Sequence, residues 1–390
     1  MNFTDKPNKY LDKLSKENKH PKYISGQQPI DHSQSFKGNI ENFIGFAQVP
    51  IGLAGPLLLN GTAGISKHWV PMATTEGALV ASYDRGIKAG SLCGGFTSRT
   101  LSNKVQRSPY FEFDSLIDAL HFATWIKSKE SLLSTGVSQA SNYAKLLNME
   151  VLHEGNGVHL TLSFETGAAA GQNMVTIVTD QVLRQVLDQA PLKPTLFYIE
   201  ANMSGDKKAN FRSLSNVRGR KVISEVVISK EVIQKVLKST AENISKFWMT
   251  GTLAAIQSGA VGNPAHITNA LTSIFIACGQ DVACIAEAAV GIERMEAKSN
   301  GDLYASMTLP GLIVGTVGGG TGLPTQKESL ELMDCSTPED VGKFAEICCA
   351  VTLAGELSIG AAIAEGHFAA AHKAHGRKRI MKKDSSLNLV

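Results

Sequence analysis

The chain has 390 residues, of which 43% are hydrophobic and 19% charged, so it can bury a large core, and we predict two lobes. The net charge of +3 is too small to indicate a nucleic-acid partner, and we predict none. The six cysteines show no CxxC pair and no disulfide framework, which indicates reduced, buried thiols in a cytoplasmic protein. The polar, lysine-rich N-terminus predicts no signal peptide, and the longest charge-free run, residues 247–280, contains too many polar groups for a membrane span.

The first part of the chain is predicted to be an arm that leads into apolar segments. Residues 1–39 are polar and predict an N-terminal arm or helical cap, with one short helix near residues 10–17. Residues 41–59 are apolar but contain several glycines and prolines, which favours a buried loop or a pair of strands over a helix.

Glu76 lies in an uncharged run that continues as a helix through Leu79 and Val80. Thr74 or Thr75 could cap this helix, with Glu76 merely favouring its N-terminal dipole. The alternative is a catalytic role for the carboxyl group of Glu76. The local pattern leaves both interpretations open.

Residues 110–200 have a separate pattern of short strands and helices. Strands are predicted at 110–113, 149–153, 158–164 and 195–199, and helices at 116–126 and 174–186. The order β-α-β-β-α-β is the ferredoxin-like arrangement. The sequence therefore predicts an α+β fold, in which a mostly helical large domain (residues 40–108 and 200–390) carries an inserted ferredoxin-like domain (residues 109–199).

Two stretches of small residues could bring the backbone close to a ligand. The segment ETGAAAGQNM, residues 165–174, leads into a helix N-terminus and could cradle a phosphate group, although such loops are often only turns. The three consecutive glycines at 318–320 permit either close approach to a ligand or a tight crossing of two chain segments.

Residues 264–290 are rich in alanine, isoleucine and leucine and predict a central helix buried on all sides. Four polar residues of this helix share one stripe: His266, Asn269, Ser273 and Gln280. Asp281 lies near that stripe and must be paired, hydrogen-bonded or protonated if it is buried. It is either a satisfied structural residue or a catalytic carboxyl group on a rigid helix.

The remaining elements are predicted from shorter patterns. A strand at 222–228 and a helix at 231–244 precede the central helix, and an alanine-rich helix covers residues 340–378. Three histidines lie near the C-terminus at spacings of five and three: His367, His372 and His375. These spacings do not match a zinc-binding HExxH pair, so we predict no metal site.

Several long stretches together resemble 3-hydroxy-3-methylglutaryl-coenzyme A (HMG-CoA) reductase over residues 40–378. The matching stretches are ENFIGFAQVPIGLAGPLLLNG, PMATTEGALVAS, DKKAN, AHITN, ACGQD, DLYASMTLPGLIVGTVGGGTGLPTQ and GHFAAAHKAH. The GTVGGGT and ENxIG forms are similar to the class shared by eukaryotes and archaea. The resemblance implies the four-electron reduction of HMG-CoA to mevalonate and CoA with two molecules of NADPH or NADH.

Four residues match the reacting groups of that family: Glu76, Lys207, Asp281 and His372. Hydride attack on a thioester creates an oxyanion, which the ammonium group of Lys207 would stabilise. The expelled CoA thiolate needs a proton, which suits His372. A buried Glu76 with a raised pKa would protonate the aldehyde oxygen, and Asp281 would keep Lys207 charged.

The resemblance also implies contacts for the substrate. Arg107 matches an arginine that meets the substrate carboxylate, a role that suits the planar guanidinium group. Ser82 and Arg85 match positions near CoA, and Asn269 matches a polar contact beside the reaction centre. The family site forms between two subunits, so we expect a homodimer or a dimer of dimers, with the segment that carries His372 acting as a lid.

The nucleotide contacts implied by the resemblance differ in part from the family pattern. The matching positions are Ser141, Asn142, Gly167, Gly171, Asn173 and Met174. Ala168 replaces an acid, and Asn142 replaces an arginine that reads the 2′-phosphate of NADPH, so both NADPH and NADH remain open, with Lys145 as a possible substitute for the arginine.

Two further departures lie near the substrate. Glu200 and Ala201 stand where the family has a Ser-Gly pair, and a lysine expected before GNPAH has no clear match, Lys246 being nearest. An added acid beside an anionic substrate is unfavourable unless it points away. The alternatives to HMG-CoA reduction are therefore reduction of a related acyl-CoA and binding of CoA thioesters without catalysis.

Overall fold

The computed structural model describes residues 8–31, 36–215 and 218–367, and their fold is α+β. The strands are β1 (Ile51–Gly61), β2 (Gly64–Ala73), β3 (Phe96–Arg107), β4 (Tyr110–Glu112), β5 (Lys145–Glu154), β6 (Gly157–Glu165), β7 (Leu196–Tyr198), β8 (Gly219–Ile228), β9 (Ile292–Ala297) and β10 (Leu303–Leu312). The α-helices are α1 (Lys9–Lys16), α2 (Leu79–Leu92), α3 (Leu116–Lys127), α4 (Glu130–Ala140), α5 (Gln172–Leu187), α6 (Arg212–Ser215), α7 (Lys230–Val232), α8 (Ala241–Ser258), α9 (Ile267–Ala277), α10 (Ile285–Ala288), α11 (Pro324–Leu332) and α12 (Val341–Ala364).

The strands form two groups that share β3. In the first group, β1 pairs with β2 and β3, and the order continues β3-β8-β10-β9. In the second group, the order is β7-β4-β6-β5, and every pairing is antiparallel. The last residues of β3 also pair with β6, so one continuous strand joins the two groups. The larger part, which was predicted to be mostly helical, contains α2 and α6 to α12 and also the six strands of the first group.

The buried central helix is α12, and not residues 264–290. Eighteen of its 24 residues are buried, and it packs against α2, where a Cβ atom on Gly86 would lie 1.8 Å from the carbonyl oxygen of Ala354. By length and composition, residues 338–364 could cross a membrane, but 83% of their most apolar window is buried inside the fold. This burial is typical of the core helix of a globular domain.

Residues 264–290 form two helices with a break between them. The helix α9 ends at Ala277, and Gly279 has a φ of +66°, which ends the helical path. A Cβ atom on Gly279 would lie 2.3 Å from the carbonyl oxygen of Gly320, so the two segments cross in close contact. Asp281 therefore lies in a loop after α9, where it caps a short 3₁₀ turn at Val282–Cys284.

The structure corrects three further local predictions. Residues 41–50 are irregular and mostly exposed, so only the β1 part of the 41–59 segment is a strand, and it is partly buried. The helix predicted at 231–244 is broken by a π-helical turn at Ile233–Leu237 and by Lys238, whose φ is +59°. The helix α2 begins only at Leu79, so Thr74 does not cap it.

Other local predictions are confirmed. The short N-terminal helix is α1, and the predicted hairpin is β5–β6. The strand and helix pattern of residues 110–200 matches β4 to β7 with α3 and α5, although α4 was not predicted. The six cysteines are free thiols, and all except Cys93 are buried.

Candidate active site

Lys207 and Asp281 form an ion pair in the loops that follow β7 and α9. The ammonium nitrogen of Lys207 lies 2.9 Å from Oδ2 of Asp281, and both side chains are partly exposed. The hydrogen bond to Asp281 raises the pKa of Lys207. Asp281 is held in turn by the backbone N–H of Ala283, which donates to its other oxygen at 3.0 Å. This geometry presents a positively charged donor at an accessible surface.

Glu76 and Asn269 form a second polar pair. The side-chain amide of Asn269, in the first turn of α9, donates to Oε2 of Glu76 at 3.4 Å. The backbone N–H of Glu76 donates to Oγ1 of Thr74, which fixes the turn before α2. Glu76 is exposed in this chain, so the prediction that it is buried is wrong for the isolated subunit.

The two pairs lie at opposite ends of α9. Asn269 belongs to the first turn of this helix, and Asp281 follows its C-terminal end. A helix of 11 residues is about 16 Å long. The predicted stripe of His266, Asn269, Ser273 and Gln280 is interrupted, because α9 ends at Ala277, before Gln280. The length of α9 separates the two polar pairs within one chain.

Arg107 belongs to a buried cluster of charged residues next to the loop that carries Lys207. Its guanidinium group donates to Asp206 at 2.9 Å, to Glu200 at 3.4 Å and to Oγ1 of Thr176 at 2.8 Å. Burial opposes ionisation of Asp206, but the charges of Arg218 and Arg107 hold the pKa of this carboxyl group below its usual value. Arg107 thus already has acidic partners.

Arg218 and Glu287 complete this cluster and were not recognised in the sequence. Arg218 pairs with Glu287 and with Asp206, and both Arg218 and Glu287 are almost fully buried. Burial raises the pKa of Glu287 despite this pairing. Oε1 of Glu287 accepts the backbone N–H of Lys207 at 3.2 Å, so the cluster supports the lysine loop. A charged residue inside the apolar segment 282–290 was the available signal.

Ser82 and Arg85 are engaged inside the chain. Both contact Ser358 of α12: the two hydroxyl groups lie 2.9 Å apart, and Arg85 donates to the hydroxyl and carbonyl oxygens of Ser358. Burial lowers the pKa of Arg85. These contacts fix α2 on α12 and leave the predicted role near CoA as a prediction.

The loop before α5 has the geometry of an anion cradle. Gly171, with a φ of +81°, precedes α5, and this helix has no side-chain cap. Gly167 also has a positive φ and has open space where a Cβ atom would stand. The carbonyl oxygen of Gly167 accepts from buried Arg220 at 2.6 Å. Free N–H groups at a helix N-terminus suit a pyrophosphate group, so the residues present fit a dinucleotide.

This loop is tied to the Lys207 site by main-chain contacts. Thr316 donates its backbone N–H to Ala168, and Ala169 forms a parallel bridge with Val317. The side-chain amide of Gln280 makes two hydrogen bonds with the backbone of Gly315, at 2.9 and 3.0 Å. Residues 315–317 therefore join the cradle to the Asp281 loop, and Gly320 of the same segment forms the tight crossing with Gly279.

The other predicted nucleotide contacts lie around the same cradle. Ser141 and Asn142 lie in the loop before β5. Lys145, at the start of β5, lies opposite Glu165 in the β5–β6 register, and Glu165 is the first residue of the 165–174 segment. Asn142 and Asn173 are exposed, whereas Met174 packs against the core. His372 lies outside the described residues.

A group of metal-binding residue types also occurs at this site: Asp206, Cys284 and Glu287. Burial raises the pKa of the Cys284 thiol, and the side-chain amide of Gln172 donates to its sulfur at 3.0 Å. Asp206 and Glu287 are already paired with Arg218. The group is better described as part of the charge cluster.

Comparisons with known proteins agree with this fold and these motifs. A family model for hydroxymethylglutaryl-coenzyme A reductase matches residues 5–377. The HMG-CoA reductases of Pyrococcus horikoshii and Methanocaldococcus jannaschii are 39% and 38% identical to this chain, over 90% and 89% of its length and 87% of their own. The reductase of Xenopus laevis is 36% identical over 88% of this chain and 40% of its own length.

A solved structure gives the same result for the fold. The class II HMG-CoA reductase from Streptococcus pneumoniae, bound to NADPH in open conformations, has a TM-score of 0.74, with 19% identity and coverage of 93% of this chain and 98% of that one. This chain therefore shares the α+β fold of that structure. On the family model and the sequence relatives, the chain belongs to the hydroxymethylglutaryl-coenzyme A reductase family.

Proposed function

We propose that this protein reduces HMG-CoA to mevalonate and CoA, using two molecules of NADPH or NADH, in the cytoplasm. The observation that carries the proposal is the Lys207–Asp281 ion pair, which joins the DKK and GQD motifs of the family at 2.9 Å. The first test is consumption of the reduced cofactor, which should require HMG-CoA and the protein together.

Lys207 would stabilise the oxyanion that forms at the thioester carbonyl. Reduced nicotinamide, when bound, supplies the hydride for each of the two reduction steps. The pKa of Lys207 is raised, so the ammonium group remains charged, and Asp281 orients it. A charged donor that is fixed before the reaction needs little reorganisation when the oxyanion appears.

Proton transfer would be divided between Glu76 and His372. His372 would protonate the leaving thiolate of CoA, and Glu76, oriented by the amide of Asn269, would protonate the aldehyde oxygen. Ser82 and Arg85 would lie along the CoA path, and Arg107 would lie near the distal end of the acyl group. The segment that carries His372 would close over the site as a lid.

A complete site would then form between two copies of the chain. Glu76 with Asn269 and Lys207 with Asp281 occupy opposite ends of α9, so a two-fold pairing could bring one chain's Glu76 to the other's Lys207. An exposed apolar stripe on α8 offers a surface for such a pairing. Its members, at spacings of four and three, are Met249, Leu253 and Ile256. We therefore propose a homodimer or a dimer of dimers.

The second strand group would be the nucleotide-binding domain. Its strand order, β7-β4-β6-β5, and its antiparallel pairings support the ferredoxin-like arrangement for residues 109–199, between the two parts of a substrate domain. The uncapped N-terminus of α5 would hold the pyrophosphate of the cofactor. Residues 1–39 would form an arm on the substrate domain.

Asn142 should decide the choice between NADPH and NADH. Replacing it with arginine (N142R) should raise the preference for NADPH over NADH, measured as the ratio of the two kcat/KM values, by about tenfold or more, because a guanidinium group pairs with the 2′-phosphate. The control is Q189R, which adds the same charge near the far end of α5, about 24 Å from the cradle. An unchanged ratio in N142R would place the 2′-phosphate elsewhere.

A further inference from the structure

Glu200 is an acid placed directly against Arg107. Its Oε2 atom accepts from Arg107 at 3.4 Å and from the backbone N–H of Ser108 at 3.0 Å. The next residue, Ala201, donates its own N–H to the carbonyl oxygen of Ser108 at 3.0 Å. These backbone contacts hold the carboxylate in one place, so it is a fixed part of the site.

The second oxygen of Glu200 is buried without a partner. Among the described residues, no hydrogen-bond donor reaches Oε1, although 21% of the side chain as a whole is exposed. A buried acceptor that is left unpaired is unfavourable, so Oε1 of Glu200 would gain from a hydrogen-bond donor on a ligand bound beside it.

Within the cluster, the carboxyl groups outnumber the guanidinium groups. Two guanidinium groups, those of Arg107 and Arg218, face three carboxyl groups. The three acids of this cluster are Glu200, Asp206 and Glu287. A carboxylate placed beside Arg107 would also be placed beside Glu200 and would have to displace it.

The cluster adjoins the position of the reacting thioester. Asp206 contacts Arg107 and directly precedes Lys207 in the chain. An acyl group whose carbonyl meets Lys207 can therefore extend toward Arg107 and Glu200. This step rests on the proposed reduction of a thioester at Lys207.

We propose that Glu200 determines acyl specificity in this protein. Because of Glu200, the site binds one kind of acyl-CoA more tightly than another. The preferred acyl-CoA has an uncharged distal end that donates a hydrogen bond, and the other ends in a carboxylate. Oε1 of Glu200 accepts the hydrogen bond from a distal hydroxyl group. HMG-CoA remains a substrate, but it binds less tightly than its analogue in which the distal carboxylate is a hydroxymethyl group, the 3,5-dihydroxy-3-methylpentanoyl thioester.

The chemistry at the thioester is the same for both ligands. Two hydrides and two protons convert the thioester to a primary alcohol, the C–S bond breaks, and CoA leaves as the free thiol, while two reduced nicotinamides are oxidised. The distal group takes no part in bond making. The effect of Glu200 therefore belongs to binding and can be measured without turnover.

The test compares dissociation constants for the two thioesters by titration calorimetry in the presence of oxidised cofactor. The proteins are the full chain, E200Q and E200S, with D180N as a matched control, because Asp180 is also an acid paired with an arginine but lies on the surface of α5. In E200S we expect HMG-CoA to bind about tenfold more tightly and the hydroxyl analogue several-fold more weakly, because the acceptor for its hydroxyl group is lost. D180N should bind both as the wild type does.

Two results would overturn the inference. In the first, the wild-type protein binds HMG-CoA more tightly than the hydroxyl analogue. In the second, the ratio of the two dissociation constants changes less than twofold in both Glu200 variants. E200Q keeps the shape of the side chain and decides the question if E200S does not fold. Failure of the proposed reductase function gives a different result, namely no oxidation of either cofactor with either thioester, while the dissociation constants still report on Glu200.

Discussion

Replacing Lys207 with alanine should lower kcat for cofactor oxidation on the order of a thousandfold at saturating HMG-CoA. The ammonium group of Lys207 is the charged donor that Asp281 orients at 2.9 Å, and removing a donor to a developing oxyanion typically costs two to three orders of magnitude. The measurement is steady-state absorbance of the reduced cofactor.

The matched control for this substitution is Lys343→Ala. Lys343 is also ion-paired, with Asp340 at 2.8 Å, but it lies in the first turn of α12 and not in the Lys207 loop. Its loss should leave kcat within about twofold of the wild type, since this ion pair lies at the start of α12 and not in the loops that carry Lys207 and Asp281. A K207A variant with more than a tenth of wild-type kcat would show that Lys207 does not stabilise the oxyanion.

Mixing two inactive variants should restore activity if the site forms between subunits. Chains carrying E76Q and chains carrying K207A are each expected to be inactive, because the two residues act at one reaction centre. They lie at opposite ends of α9, so a mixed dimer contains one site with both defects and one site with neither. Random pairing of equal amounts should therefore recover about a quarter of wild-type activity.

A second mixture distinguishes shared sites from general repair of the fold. Glu76 and Asn269 lie at the same end of α9, so every mixed dimer of E76Q and N269A would carry one defect in each site. This mixture should recover no activity above its parents. Recovery in neither mixture, after subunit exchange has been verified by tagged chains, would mean that all reacting groups come from one chain.

Local patterns in the sequence predicted much of the fold. The alternation in residues 158–164 and the hairpin before it correspond to β5 and β6, because neighbouring residues determine strand period and turn type. The break before Asp281 was not predictable in this way. It depends on the close approach of Gly279 to Gly320, which are distant in the chain.

The reactive motifs were predictable from the sequence, but their partners were not. Lys207 and Asp281 come together as expected, whereas the helical stripe predicted from His266 to Gln280 is interrupted at Ala277, where α9 ends. Arg107 was expected to await a substrate carboxylate, yet Asp206 and Glu200 already hold it. Ion pairs between distant segments leave no periodic signal in a sequence, so only the folded arrangement reveals them.

The most direct measurement of the central claim is the number of reduced nicotinamides oxidised for each CoA released by the wild-type protein with HMG-CoA. Cofactor absorbance and free thiol are measured in the same reaction, with NADPH and with NADH separately. Reduction of a thioester to an alcohol at the Lys207 site predicts a ratio of two, with mevalonate as the product. If neither cofactor is consumed while the thioester still binds, the protein is a CoA-thioester-binding member of the family and not a reductase.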